Sequence, residues 1–209
     1  PTSPERKRPL SELRDILRSA RSAAEFEALI ALVETDSRAG ARALGNQAER
    51  RLEAQRLERE RLAGLLALRD QLVGRGVRGV AGVDEVGVGP LAGPVVAAAV
   101  VLPSQFELQG LDDSKRVRPT LRKTLAQEIR DIAVGVGIAE VSVEEIDQVG
   151  IFQAALEAMR RSVASLVRTT EVGHLLVDAR TIPGIDFPQT SICLFYTPAA
   201  ADARQCVVL

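Results

Sequence analysis

The sequence contains few of the residues that build disulfide scaffolds or histidine-based sites. Its 209 residues include two cysteines and one histidine. Cys193 and Cys206 have neither zinc-site spacing nor the density of a disulfide framework, so we interpret both as free thiols. A lone histidine is no catalytic constellation, and we predict a structural role for His174 at the start of an apolar strand.

Long apolar segments are also absent. The longest apolar run, residues 91–102, is shorter than the roughly 20 residues that a membrane-spanning helix needs, and Pro94 interrupts it. Residues 1–9 carry charges but no apolar core of a secretory signal. We therefore expect no membrane span and a cytoplasmic location.

An excess of one charge sign is absent as well. The chain has 27 Lys and Arg against 28 Asp and Glu, and a formal net charge of −1. This balance is not the basic excess that is typical of a nucleic-acid-binding protein. Locally, however, residues 115–123 contain Lys115, Arg116, Arg118, Arg122 and Lys123. Such a cluster attracts phosphates by Coulomb forces and counterion release. A solvated loop and helix start explains the same charges equally well.

Residues 1–76 show helical periodicity and no strand pattern. Apolar side chains recur on one helical face at Leu10, Leu13 and Leu17, and again at Phe26, Leu29, Ile30 and Val33. Ser22 and Glu25 have the spacing of a capping box, which predicts a helix start. Residues 46–72 predict a long helix of mixed charge. We interpret it as a solvated, salt-bridged surface, with a nucleic-acid contact surface as the alternative.

The pattern changes at Gly74, Gly76 and Gly79, where we place a boundary between an N-terminal extension, 1–76, and a second domain, 77–209. Strands are predicted at 79–86 and 95–102, as an antiparallel pair, at 133–141, and at 174–177, which ends in Asp178. Helices are predicted at 119–131, 143–146 and 151–166. This order predicts an α/β fold with a mixed sheet covered by helices.

Chemistry is concentrated where the first strand ends. Asp84 and Glu85 end an apolar run. A buried unpaired carboxylate costs several kcal/mol, and a divalent cation bound between the two would offset that cost. Neighbouring side chains on a strand point to opposite faces, so both reach one site only where the strand ends or bulges. Gly87 and Gly89 permit that distortion and let backbone amides approach a ligand. Taken alone, this string is also typical of an ordinary strand-end turn.

The whole string from Gly82 to Pro94 resembles the opening motif of ribonuclease HII, in which an Asp-Glu pair precedes Gly-Arg-Gly-Pro-Leu-Ala-Gly-Pro. Further segments resemble that family in the same order. They are Asp113-Ser114-Lys115, residues 134–160, residues 175–179, residues 181–183 and residues 188–189. The resemblance covers 79–192, and residues 1–76 resemble more loosely the extension of some bacterial members.

This resemblance implies a ribonuclease H-like fold preceded by a small all-α region. It also implies a metal-dependent endonuclease that cuts the RNA strand of RNA–DNA hybrids, or duplex DNA at embedded ribonucleotides, by a two-metal mechanism with Mg²⁺ or Mn²⁺. Asp84, Glu85 and Asp178 match three of the family's four metal-binding, catalytic carboxylates. The substrate-binding residues that it implies are Gly87, Val88, Gly89, Ser114 and Lys115. Loop ordering is the alternative role for Ser114 and Lys115.

The sequence also departs from the family pattern. Val88 replaces the arginine of Gly-Arg-Gly, which removes a positive charge beside the phosphate path, and Val149-Gly150 stands where Ile-Asn is usual. The tail, 193–209, has no recognisable counterpart of the segment with the fourth carboxylate, and we carry that role to neither Asp186 nor Asp202. The alternative reading is therefore a catalytically impaired member or a non-catalytic hybrid-binding module. A separate protein-interaction role for the N-terminal helices is a third hypothesis.

Overall fold

A computed structural model describes residues 8–90, 92–112, 114–178 and 181–192. The chain divides into two compact units, Pro1–Arg61 and Leu62–Leu209. No helix within the described ranges is long and apolar enough to cross a membrane.

The N-terminal unit is helical, as the periodicity predicts. It contains α1 (Leu10–Ser19), α2 (Ala23–Glu34) and the first part of α3 (Ala39–Gly74). The predicted apolar faces form its core, which includes Leu13, Leu17, Phe26, Leu29 and Val33. The predicted capping box is present at the start of α2, where the backbone N–H of Ser22 donates to Glu25 Oε2 at 2.8 Å and that of Glu25 donates to Ser22 Oγ at 3.3 Å.

Helix α3 begins at Ala39, ahead of the predicted start at residue 46, and ends at Gly74. Its exposed middle carries ion pairs one turn apart. Arg56 contacts Glu53 at 2.7 Å and Glu60 at 2.6 Å. These pairs agree with the solvated, salt-bridged interpretation, because Arg56 has an acidic partner one turn away in each direction on the same helix.

The division between the two units falls inside α3, whereas the glycines after residue 73 mark the end of that helix. The reason is that the last turns of α3 are part of the second unit's interior. Leu66 is 9% exposed and Arg69 is 6% exposed. Leu66 and Arg69 line the same cavity as Val80, Val100 and Leu176 of the second unit.

The second unit contains one five-stranded mixed sheet with strand order β3-β2-β1-β4-β5. The strands are β1 (Val80–Val86), β2 (Val95–Val101), β3 (Gly135–Val141), β4 (His174–Asp178) and β5 (Gln189–Ile192). β2 is antiparallel to β1 and β3, and β4 is parallel to both β1 and β5. The predicted antiparallel pair and the α/β class with a mixed sheet are confirmed. β5 was not predicted, because its four half-buried residues show no apolar alternation.

Helices cover both faces of this sheet. On one face, α5 (Val143–Val149) leads into α6 (Ile151–Leu166), whose buried Ala154, Ala158 and Val163 join the core formed by β1, β2 and β4. On the other face, α4 (Pro119–Ile132) packs Leu125 and Ile129 against Val100 and Leu102, together with apolar residues of the loop that precedes it. This two-faced covering leaves the strand ends as the place for polar chemistry.

Candidate active site

The candidate carboxylates lie at one end of two neighbouring parallel strands. Asp84 and Glu85 belong to β1, and Asp178 is the last residue of β4. The register places Val83 beside Val177. The next residues along each strand, Asp84 and Asp178, are therefore neighbours at the C-terminal ends of β1 and β4. The fold therefore brings together residues that are far apart in the sequence.

The strand does not bulge at the two adjacent acids. The pairing of β1 with β2 stays regular from Ala81 to Val86, and it sets Asp84 opposite Ala98 and Glu85 opposite Ala97. The distortion predicted from the glycines follows one residue later, at Gly87, which has a φ of +105°. Its position is tight, because a Cβ at Gly87 would lie 2.4 Å from the carbonyl oxygen of Pro94.

The alanines opposite the acids were missed by the sequence analysis. Ala97 and Ala98 are the cross-strand partners of Glu85 and Asp84, and cross-strand neighbours lie about 5 Å apart at Cβ. Short side chains there leave space beside both carboxylates. The sequence did not reveal these partners, because residues 95–101 show only the pattern of an apolar strand. Which of them face the acids depends on the register of β1 and β2.

Burial and mutual repulsion raise the pKa values of the acids. The pKa of Asp84 is raised to about 6, chiefly by burial and in smaller part by the negative charges of Asp178 and Glu85. Two contacts act in the opposite direction on this pKa: the backbone N–H of Glu85, which donates to Asp84 Oδ1 at 2.8 Å, and the charge of Lys115. Burial also raises the pKa of Glu85, with Asp178 the next largest cause. Asp178 therefore lies within electrostatic reach of both acids.

One oxygen of this group has no partner in the part of the chain that the structure describes. Glu85 Oε2 is buried and accepts no hydrogen bond there. A buried acceptor left unsatisfied costs about 1–3 kcal/mol, and more when it is charged. A cation beside the carboxylates would remove that cost, and hard carboxylate oxygens are the ligands that Mg²⁺ and Mn²⁺ prefer. The donor set thus fits a divalent ion.

The three acids do not form a closed cage by themselves. Among the described residues, no group of three or more His, Cys, Asp or Glu side chains is placed as a metal site. Strand alternation explains this, since Asp84 and Glu85 leave β1 on opposite faces. An ion here would need the side chains to turn toward Asp178 or water to complete its coordination, as Mg²⁺ sites commonly allow.

Lys115 lies close enough to the acids for its charge to lower the pKa of both Asp84 and Glu85. It is exposed, and Ser114 beside it is half-buried, in the loop between β2 and α4. The Val88 side chain is 41% exposed. Of the predicted substrate-binding residues, Lys115 is the one whose charge acts on the pKa values of Asp84 and Glu85.

The other polar candidates lie apart from these acids or outside the described residues. His174 stands at the opposite end of β4 from Asp178, and its Nε2 is 2.8 Å from Thr190 Oγ1. Burial lowers the pKa of His174, in keeping with the predicted structural role. Asp186 is exposed. Cys193, Cys206, Asp202 and Asp113 lie outside the described residues.

Models of two protein families match the chain. The one described as ribonuclease HII matches residues 81–208, and the one described as the ribonuclease HII N-terminal domain matches residues 10–69. The first match includes the tail from Cys193 onward, which the sequence analysis set apart.

Individual relatives carry the same description. A ribonuclease HII of Myxococcus xanthus is 46% identical over 165 residues, which are 78% of this chain and 56% of that protein. One of Geobacillus thermodenitrificans is 43% identical over 152 residues, 73% of this chain and 58% of that protein. The chain thus spans little more than half the length of these two relatives. The crystal structure of ribonuclease H2 from Pyrococcus horikoshii is similar with a TM-score of 0.45 and 26% identity, covering 59% of this chain and 65% of that one.

Proposed function

The chain belongs to the ribonuclease HII family, and on that premise we propose that it hydrolyses the RNA strand of RNA–DNA hybrids, or duplex DNA at embedded ribonucleotides. The observation that carries this proposal is that Asp84, Glu85 and Asp178 lie close together at the C-terminal ends of β1 and β4. A buried oxygen of Glu85 there lacks a hydrogen-bond partner among the described residues. We place the activity in the cytoplasm.

Divalent cations, Mg²⁺ or Mn²⁺, are the proposed cofactors. Asp84, Glu85 and Asp178 would hold them, because these side chains offer hard oxygen ligands and gain from a nearby positive charge. When bound, a pair of such ions supplies activation of the attacking water and stabilisation of the departing 3′ oxygen. The protein's own part is to hold the carboxylates in place, through the regular pairing of β1 with β2 and β4.

Substrate binding is proposed for the two segments beside the carboxylates. Lys115 and Ser114 would contact the phosphate backbone, since the Lys115 ammonium already lies near Asp84 and Glu85. The backbone amides of residues 87–89 would donate to the sugar, whose 2′-hydroxyl distinguishes RNA from DNA. Val88 contributes no charge there, so we expect weaker phosphate binding than an arginine would give.

A non-catalytic hybrid-binding module is the second candidate. Two observations favour it. The described residues contain no group of three His, Cys, Asp or Glu side chains placed as a metal site, and Val88 stands where the pattern of the resembling family has an arginine. The two candidates differ in one respect, because only the first requires that the RNA strand be cut.

The test is cleavage of a labelled DNA duplex with an embedded ribonucleotide, in Mg²⁺ and in Mn²⁺. We expect Asp84→Asn to lower the cleavage rate by about 100-fold or more, because loss of a metal ligand costs several kcal/mol of transition-state stabilisation. Asp131→Asn is the matched control, since Asp131 is exposed at the end of α4, directly before the start of β3, which lies at the end of the sheet opposite the carboxylates. Equal rates for the two variants would refute the assignment of Asp84. Tight hybrid binding without cleavage would favour the second candidate.

A further inference from the structure

A buried arginine at the end of α3 holds the start of the loop that carries Lys115. Arg69 is 6% exposed. Its Nη2 donates to the carbonyl oxygens of Leu102, at 3.3 Å, and Pro103, and its Nη1 donates to that of Ser104 at 3.4 Å. These carbonyls follow directly after β2, where the ladder of sheet hydrogen bonds ends. One guanidinium therefore satisfies three successive backbone acceptors.

Two further contacts compensate the charge of this arginine. Its Nη1 lies 2.5 Å from Asp70 Oδ1, and its guanidinium carbon lies 5.3 Å from the centre of the Phe106 ring. A buried cation is retained only where hydrogen bonds and counter-charges replace its water. Lysine would not replace it, because a single ammonium has neither the planar fork of donors nor the flat face that stacks on a ring.

The loop so held runs from β2 to α4, residues 102–118. It is pinned at three further points by Leu108, Leu111 and Val117, which are buried against the inner face of α4. Phe106, which the guanidinium faces, packs against the same cluster. Ser114 and Lys115 lie between the last two of these anchors, on a segment whose ends are fixed.

We propose that Arg69 is a positioning residue for substrate binding: it fixes the start of residues 102–118 and thereby holds Lys115 beside Asp84 and Glu85. The inference rests on the proposed function, because the place of Lys115 matters only if the chain binds a nucleic-acid backbone. Arg69 itself is buried and would contact the loop, not the substrate. Its loss should weaken binding only through Lys115.

The test is a double-mutant cycle on binding of a labelled RNA–DNA hybrid, measured as Kd by fluorescence anisotropy without divalent ions, so that no cleavage is needed. We expect Arg69→Lys to raise Kd about fivefold in the chain with Lys115, and less than about twofold in the Lys115→Ala background, because coupled residues are non-additive. Phe106→Leu should act in the same way without removing the buried charge. Arg168→Lys is the matched control, an exposed arginine just after α6, and should leave Kd unchanged.

A second readout does not depend on the substrate. Hydrogen exchange at the amides of residues 105–112 should speed up in Arg69→Lys and Phe106→Leu, while the amides of β1 and α6 keep their protection. Unchanged exchange in the loop, or equal effects on Kd with and without Lys115, would overturn the positioning role while leaving the proposed function intact. Failure of the unaltered chain to bind the hybrid, both without divalent ions and with them, would instead refute the proposed function, and the inference with it.

Discussion

Asp84 carries an electrostatic cost in the metal-free protein. Its pKa is raised from the ordinary 3.8 to about 6, chiefly by burial. Below pH 3.8 the group is protonated in both the folded and unfolded states, and above about pH 6 it is charged in both. The folded state is therefore destabilised progressively as pH rises through this window, and the full cost remains at higher pH.

Asp84→Asn should consequently stabilise the chain in a chelating buffer. We expect a gain of about 1–2 kcal/mol in the free energy of unfolding near pH 7.5, because a shift of two pKa units corresponds to roughly 2.7 kcal/mol and residual water contact lessens it. The gain should vanish near pH 3.5. Urea denaturation at both pH values measures it, with Asp147→Asn as the exposed control. A variant less stable than the unaltered chain at pH 7.5 would contradict the assigned cause.

The candidate site residues could be chosen from the sequence, but their arrangement could not. Asp84, Glu85 and Asp178 stood out because carboxylates end apolar runs. Their meeting depends on the parallel pairing of β1 with β4, a long-range contact that no local pattern encodes. Arg69 was not recognised for the same reason. Within a helix of alternating charges it looks like its exposed neighbours, and its burial follows only from the packing of the last turns of α3 inside the second unit.

Helices and strands could be predicted where the periodicity of apolar residues was strong. The faces of α1 and α2 and the positions of α4, α6 and the strands β1 to β4 were predicted from their apolar residues. β5 was missed because it is a short edge strand of four half-buried, mostly polar residues, which show no apolar pattern in the sequence. The early start of α3 at Ala39 was missed because the predicted helix rested on the charge pattern, which begins further along the chain.

The contact of β3 with α6 depends on a glycine. A Cβ at Gly137 would lie 2.1 Å from the carbonyl oxygen of Ser162 and 2.6 Å from the backbone nitrogen of Leu166. Gly137→Ala should therefore lower the free energy of unfolding by about 2–3 kcal/mol, because the helix backbone has to move to admit a methyl group. Chemical denaturation measures this loss directly.

Gly64→Ala is the matched substitution on α3. A Cβ there meets nothing within 4 Å, and the site is an exposed helix interior. We expect it to raise the free energy of unfolding by about 0.5–1 kcal/mol, since alanine is the better helix former. If both alanine variants lost stability equally, the cause at Gly137 would be general and not the close approach of β3 to α6.

The division of the whole chain gives a test on a larger scale. The glycines suggest that a second domain begins at residue 77, whereas the compact unit begins at Leu62. The two choices differ by the last turns of α3, which contribute the buried Leu66 and Arg69. Without them, the apolar surface formed by Val80, Val100 and Leu176 loses its cover.

A fragment that spans 62–209 should therefore be more stable than one that spans 77–209. We expect a difference of about 4 kcal/mol or more, because removing a single buried leucine side chain already costs 2–5 kcal/mol and a domain has only about 5–15 in total. Urea unfolding of both fragments, followed by circular dichroism, measures the difference. Equal midpoints and equal slopes would mean that the end of α3 adds nothing to the second unit, and that the fold begins at the glycines. A lower midpoint for the shorter fragment alone would make residues 62–74 an integral part of the unit that carries the carboxylates.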